Sequence, residues 1–262
     1  MAKVWFVGAG PGAADLLTFR AARAIGEADI VVWARSLVME EVLEHAKLGA
    51  EIIASDELTH EQVVEHYERA AEENLVLARI HSGDPAIYGA IQEQIRVCRE
   101  LGLPYEIVPG VSSVAAAAAA LGQELTIPET SQSLILTRRG GRTPMPAGET
   151  VQGFAAHGTT MVLFLSCSRP YDLQRELLEG GYPADAPCAV VYRATWADEQ
   201  VIRCRLDELG DSVRAAKITR QALVLIGPGL EDAGTRSHLY SPTHGHRFRR
   251  LGRPERYRNA AG

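Results

Sequence analysis

Leu75-Val76-Leu77-Ala78-Arg79-Ile80-His81-Ser82-Gly83-Asp84-Pro85-Ala86-Ile87-Tyr88-Gly89 is the stretch that decides the fold. Residues 75–80 are apolar apart from Arg79, the pattern of a strand buried in a parallel sheet. The polar tail that follows reads as the loop at the strand's carboxyl end, where open α/β sheets bind their ligands. Gly83 lets backbone approach a ligand without a side chain in the way. Asp84 adds a charge, and Pro85 suits the first turn of a following helix. The same residues also read as an ordinary strand-to-helix turn with Asp84 as N-cap. A second glycine loop, after the first strand, favours the binding-site reading.

That loop is Gly8-Ala9-Gly10-Pro11-Gly12-Ala13-Ala14, between a strand at 3–7 and a helix expected over 16–27. It partly fits the G-x-G-x-x-A dinucleotide fingerprint. Pro11 removes a backbone donor where a pyrophosphate would want one. The next strand, 30–33, ends in Ala34-Arg35, with no acid to hold a ribose. Arg35 could instead meet a 2′-phosphate, which leaves an NADP-dependent oxidoreductase open. A helix at 37–45, a strand at 51–54 and a helix at 60–73 follow, with caps available from Ser55, Asp56 and Thr59. Ile87, Ile91, Ile95 and Cys98 recur at core spacing and predict a helix over 87–101. A strand at 105–108 leads into Pro109-Gly110-Val111-Ser112-Ser113, at the same sheet edge as the other two loops. Ser112 or Ser113 caps an alanine-rich helix that ends at Leu121. Residues 1–121 thus read as a doubly wound parallel α/β domain.

Periodicity is lost over 122–132, which reads as a linker. Residues 133–240 then predict a mixed α/β domain. Its strands are expected at 133–137, 160–165, 188–192, 200–206 and 222–226, and its helices at 150–157, 171–179 and 209–216. The alternation over 200–206 suits an antiparallel strand. Residues 241–262 are basic and are expected to be partly disordered. His238, His244 and His246 lie close in sequence but have no acid or cysteine at ligand spacing, so no metal is expected.

With 262 residues the chain can bury a substantial core. Apolar content of 46% and charge of 23% are those of a soluble globular protein, and no run is long enough to span a membrane. No secretory signal opens the sequence, and Cys98, Cys167, Cys188 and Cys204 form no C-x-x-C pair; both point to a cytoplasmic protein with reduced thiols. A net charge of −6 argues against a nucleic-acid partner.

Taken together, the loops resemble those of the tetrapyrrole (corrin and porphyrin) methylases. Gly8-Ala9-Gly10-Pro11-Gly12 looks like that family's opening signature, Gly83-Asp84-Pro85 with Tyr88 its second, and Pro109-Gly110-Val111-Ser112-Ser113 its third. Ala34-Arg35-Ser36-Leu37-Val38, His81-Ser82-Gly83-Asp84, and Ser237 with Leu239-Tyr240 are similar to the branch that methylates the corrin ring. The resemblance implies two α/β domains with S-adenosylmethionine in the cleft between them, a tetrapyrrole substrate and a homodimer. It implies cofactor contacts at Pro11, Gly83, Asp84, Pro85, Tyr88, Ser112 and Ser113, and at Leu165 and Ala194 in the second domain. Substrate carboxylates would meet Arg35, Arg138, Arg139, Arg142 and Arg193, since guanidinium pairs with carboxylate in bidentate fashion. Another branch of the family carries an Asp-Arg pair after the second strand, the Asp a proposed base. Here that pair is Ala34-Arg35, so no side-chain base is assigned and the catalytic group stays unknown. Ser166-Cys167 has no partnered histidine to make it a nucleophile. The residues leave open which ring carbon is methylated, and also a member that carries a tetrapyrrole without methylating it.

Overall fold

The computed structural model describes residues 1–231 together with Gly245 and Arg247. The histidine cluster, Ser237, Leu239-Tyr240 and nearly all of the basic tail lie outside the described residues.

Five short apolar segments build the first sheet: β1 (Lys3–Gly8), β2 (Ile30–Trp33), β3 (Glu51–Ala54), β4 (Val76–His81) and β5 (Tyr105–Val108). They are all parallel and lie in the order β3-β2-β4-β1-β5. The central strands β1, β2 and β4 are covered on both faces, which is why their sequences are nearly continuous apolar runs. On one face α1 (Phe19–Glu27) and a 3₁₀ turn at Glu40–His45 pack over Val7, Val31 and Ile80. On the other, α2 (His60–Glu72) and α3 (Ile91–Glu100) pack over Phe6 and Leu77. A capping box starts α2: Thr59 accepts from the Gln62 backbone, and the Gln62 side chain accepts from the Thr59 backbone.

Three helix starts differ from expectation. Residues 14–16 form a 3₁₀ turn, and α1 begins only at Phe19, where the Thr18 side chain caps it. The segment expected as a helix at 37–45 closes as the 3₁₀ turn. The helix expected from residue 87 begins at Ile91, because Tyr88 and Ala90 take left-handed backbone angles, φ 56° and 50°.

The fourth α-helix, α4 (Ser113–Leu121), is capped by the Ser112 side chain and ends at Gly122 with φ 61°. The second sheet comprises β6 (Leu134–Arg138), β7 (Thr160–Phe164), β8 (Pro187–Tyr192), β9 (Gln200–Arg205) and β10 (Ala222–Ile226), in the order β6-β7-β10-β8-β9. Only β6 and β7 are parallel; β10 runs against both β7 and β8, and β9 runs against β8. One face is covered by α5 (Val151–Ala155), α6 (Pro170–Glu179) and α7 (Leu209–Ala215). The other face is covered by α4: Val114, Ala117 and Leu121 pack with Val162, Val191, Leu223 and Leu225. The alanine-rich helix therefore leaves the first sheet and docks on the second, its small side chains allowing a close approach. Its last carbonyl, Leu121 O, accepts from Arg203 Nη2 of β9 at 2.6 Å. All four cysteines are free thiols. No helix among the described residues is long and apolar enough to cross a membrane.

Asp29 stitches the amino-terminal edge of the first sheet. Its carboxylate accepts from Lys47 Nζ at 2.5 Å and from the Val76 backbone at 2.8 Å, which opens β4. The bond from Lys47, then that from Val76, holds this carboxyl below its ordinary value of 3.8. A lowered folded-state value stabilises the fold above the ordinary value, and the benefit is lost as pH falls through the folded-state value. Asp29→Asn is expected to lower the unfolding midpoint by a few degrees at pH 7. Thermal melts should show that gap closing as the pH is taken below 3.8.

Candidate functional site

The parallel register places Gly8 at the end of β1 opposite His81 at the end of β4. The two loops that leave these strands zip together: Ala9 N donates to His81 O at 2.8 Å, Gly10 N to Gly83 O at 3.2 Å, and Gly83 N to Gly10 O at 2.7 Å. Gly10 and Gly83 hold φ of 81° and 65°, angles that favour glycine. Gly110, after β5, closes onto the same point. A Cβ on Gly8 would lie 2.5 Å from Gly110 N and 2.8 Å from Gly83 O, and one on Gly110 would lie 2.8 Å from Gly8 Cα. Asp84 locks the contact from the side. Its Oδ2 accepts from Gly110 N at 2.9 Å, and its Oδ1 accepts from Ala86 N at 2.8 Å. It turns its own loop but caps no helix, since α3 starts only at Ile91 after Ala90, and it binds a loop 26 residues away.

The second half meets these loops across a cleft. Trp196 Nε1 donates to Pro11 O at 3.0 Å, and Ala13 N donates to Thr195 Oγ1 at 2.9 Å. Gln221 Nε2 donates to Ser36 O. The Tyr88 and Phe164 rings lie 5.0 Å apart. Leu165, Arg193, Thr195 and Gln221 have φ of 51°, 47°, 71° and 56°, unusual for residues with a side chain. Such angles cost about 1–2 kcal/mol each, and here they gather at one cleft.

Between the halves lies a cavity of about 650 Å³, inside the range of roughly 300–1,000 Å³ for small-molecule sites. Of the residues expected at a site, Pro11, Ser113, Leu165, Ala194, Arg35 and Arg193 line it. Ala194 is absent from the positive-φ residues, so its methyl group is tolerated. Gly83, Asp84, Pro85, Tyr88 and Ser112 do not line the cavity; they build the loops at its edge. Ser112 Oγ accepts from Val114 N at 3.3 Å, and Tyr88 is committed to Phe164. Arg138, Arg139 and Arg142 line a second cavity of about 450 Å³, which shares Leu165 with the first.

Three of the expected arginines are already paired, Arg139 with Glu176 at 2.7 Å. Arg35 contacts Glu57 at 2.8 Å, and its backbone N donates to Asp56 at 2.8 Å. Burial pushes the Asp56 carboxyl up, but bonds from Ser36 and Arg35 outweigh it and hold the group below its ordinary value. Arg193 pairs with Asp198 at 2.5 Å and stacks 4.0 Å over the Trp196 ring. Residues that the sequence reading did not single out also line the first cavity: Ala117, Phe164, Thr219, Arg220 and Gln221. Of these, Arg220 makes no ion pair with a described residue.

Among the described residues, the cavity wall contains no carboxylate and no histidine. His81 stands just beneath it, but burial, with the Arg79 guanidinium beside it, pushes its imidazole down to about 3. Burial likewise raises the Cys167 thiol, which leaves it a poor nucleophile. The site can enclose, orient and exclude water; its described residues offer no acid–base pair.

Residues 3–210 match the model of the tetrapyrrole (corrin/porphyrin) methylases. The chain belongs to the tetrapyrrole methylase family. This methylase is 45% identical over 247 residues to a precorrin-4 C(11)-methyltransferase of Pseudomonas aeruginosa, spanning 94% of this chain and 98% of that one. It is 43% identical to a cobalt-precorrin-4 C(11)-methyltransferase of Methanocaldococcus jannaschii, over 95% and 96% of the two chains. Its fold superposes on the crystal structure of a cobalt precorrin-4 methyltransferase with a TM-score of 0.85 at 41% identity, over 88% of this chain and 96% of that one. A uroporphyrin-III C-methyltransferase from Thermus thermophilus, complexed with S-adenosylhomocysteine, matches at 28% identity and a TM-score of 0.73, over 86% and 97%.

Gly110→Ala in this methylase forces a Cβ into the Gly8–Gly83 contact. It is expected to cost about 2 kcal/mol or more of stability, because the neighbours are backbone and cannot rotate away. Chemical denaturation of wild type and variant reads the loss directly.

Proposed function

We propose that this chain is a precorrin-4 C11-methyltransferase of cobalamin biosynthesis, transferring the methyl group of S-adenosylmethionine to C11 of the tetrapyrrole and giving precorrin-5. The observation that carries the reading is the cleft cavity bordered on one side by three glycine loops, in a chain 41–45% identical to several enzymes of that name. An NADP-dependent oxidoreductase gains nothing from these relatives, and methylation at C17 or C20 is the reading they favour less. A homodimer in the cytoplasm belongs to the same proposal.

The cavity suits an adenosyl sulfonium. Its walls pair apolar surface from Ala117, Phe164, Leu165 and Leu223 with polar groups from Ser82, Ser113 and Arg220. Pro11, Ser113, Leu165 and Ala194 would hold the donor by direct contact. Gly83, Asp84, Pro85, Tyr88 and Ser112 would act through the loop shape they enforce. The donor supplies a methyl carbon that is already electrophilic. What remains for the protein is to hold the nucleophilic ring carbon about 3–3.5 Å from it and in line. A strained rim and a wall with no carboxylate or histidine among the described residues suit that task. A ring nitrogen of an electron-rich reduced tetrapyrrole can supply the electron push, so no side-chain base is required.

Incubation with carbon-13-labelled S-adenosylmethionine and precorrin-4 should give one new methyl signal, at C11, in the carbon NMR spectrum. A label at another ring carbon, or none, contradicts the assignment. Gly83→Val places a β-branched residue at φ 65°. It should weaken S-adenosylhomocysteine binding by at least about tenfold in calorimetry while the chain still melts cooperatively; unchanged affinity would remove this loop from the donor site.

A further inference from the structure

Beyond the donor cavity, four arginines gather at a single place that takes no part in holding the donor: three expected to meet substrate carboxylates, and Arg169. Arg138, Arg139, Arg142 and Arg169 all line the second cavity, on the far side of Leu165 from the first. Their environments sort them. Arg139 is spent: its Nε donates to Glu176 at 2.8 Å, its Nη2 sits 3.4 Å from Asp172, and its backbone N donates to Ser166 Oγ. Arg138 donates to the carbonyls of Thr143 and Pro144 at 3.0 and 2.9 Å, and so pins the loop that carries Arg142. Arg142 and Arg169 are exposed and make no ion pair with a described residue. The cavity therefore holds three guanidinium charges without an acid, two of them with free donor edges.

We propose that the second cavity is a carboxylate subsite, in which Arg142 and Arg169 grip acetate or propionate side chains at the rim of the tetrapyrrole. Arg138 and Arg139 build the subsite and do not bind in it. This rests on the proposed tetrapyrrole substrate and refines it. Leu165, 72% exposed on a left-handed backbone, is the ridge between the two cavities. A flat macrocycle lying over that ridge places its reacting edge toward the first cavity and its carboxylates in the second. Guanidinium forks fit this role because they meet both oxygens of a carboxylate at once.

The test is the double variant Arg142→Gln/Arg169→Gln, with Arg20→Gln/Arg96→Gln, on α1 and α3, as the same charge change away from both cavities. The KM for precorrin-4 should rise about 10- to 100-fold in the double variant, with kcat and the KM for S-adenosylmethionine changing less than about threefold. An unchanged KM for precorrin-4, or an equal rise for the donor, overturns the subsite. A Soret titration separates its failure from failure of the substrate assignment. Uroporphyrin III should bind the wild type and lose affinity in the double variant even if precorrin-4 proves not to be the substrate. Equal binding of uroporphyrin III to both proteins, or equal binding of its methyl ester to the wild type, contradicts the proposal.

Discussion

Three backbone segments meet at Gly8, Gly83 and Gly110 with no side chain between them, and the rest of the site depends on that contact. The ends of β1 and β5 can approach each other and the Gly83 carbonyl so closely only because Gly8 and Gly110 carry no Cβ, while Gly83 is needed for its φ of 65°. Asp84 then ties Gly110 in place through a single hydrogen bond, so a charged residue serves the architecture of the loops. The pyrophosphate cradle of a dinucleotide fold asks for free amide groups at this place. Here the amides of Gly10 and Gly83 are spent on each other. The glycine loops form a closed floor, and the ligand space lies beside it, toward the second sheet.

The second sheet supplies the other wall by a change of direction. Because β10 runs against β7 and β8, its start lies at the same edge as their ends. Three chain segments thus deliver Leu165, Arg193 and Gln221 to one rim, each on a strained backbone. α4, which follows directly from the first sheet, docks on the second and so ties the chain across the base of the cleft, and Trp196 and Gln221 add hydrogen bonds across the opening. A cleft held from its base and its rim presents a fixed gap. That is what an in-line transfer without acid–base help requires.

Much of this was legible in the residues. The strands at 105–108 and 222–226, a cap at Ser112 or Ser113, which the structure places at Ser112, and the ending of α4 at Leu121 follow from apolar runs and cap chemistry. The three glycine loops announced a ligand edge, and the resemblance they carry agrees with the family found. Two kinds of feature were hidden. Left-handed residues such as Tyr88 and Ala90 delay α3 by four residues, and nothing about a tyrosine or an alanine signals that angle. Residues at the start of an antiparallel strand escape a rule that looks only at strand ends, which is why Arg220 and Gln221 went unnoticed. Charge partners are equally invisible in sequence. Arg35, Arg139 and Arg193 read as available cations, yet Glu57, Glu176 and Asp198 already hold them. Trp196 gave only the weak sign of an aromatic residue in a loop.

A crystal structure with S-adenosylhomocysteine bound is the most direct measurement of the central claim. The account predicts the adenosyl group in the cavity between Pro11 and Ser113 on one side and Leu165 and Ala194 on the other, with the Gly8–Gly83–Gly110 contact intact. Electron density for it anywhere else, or glycine loops that must part to admit it, would contradict the account.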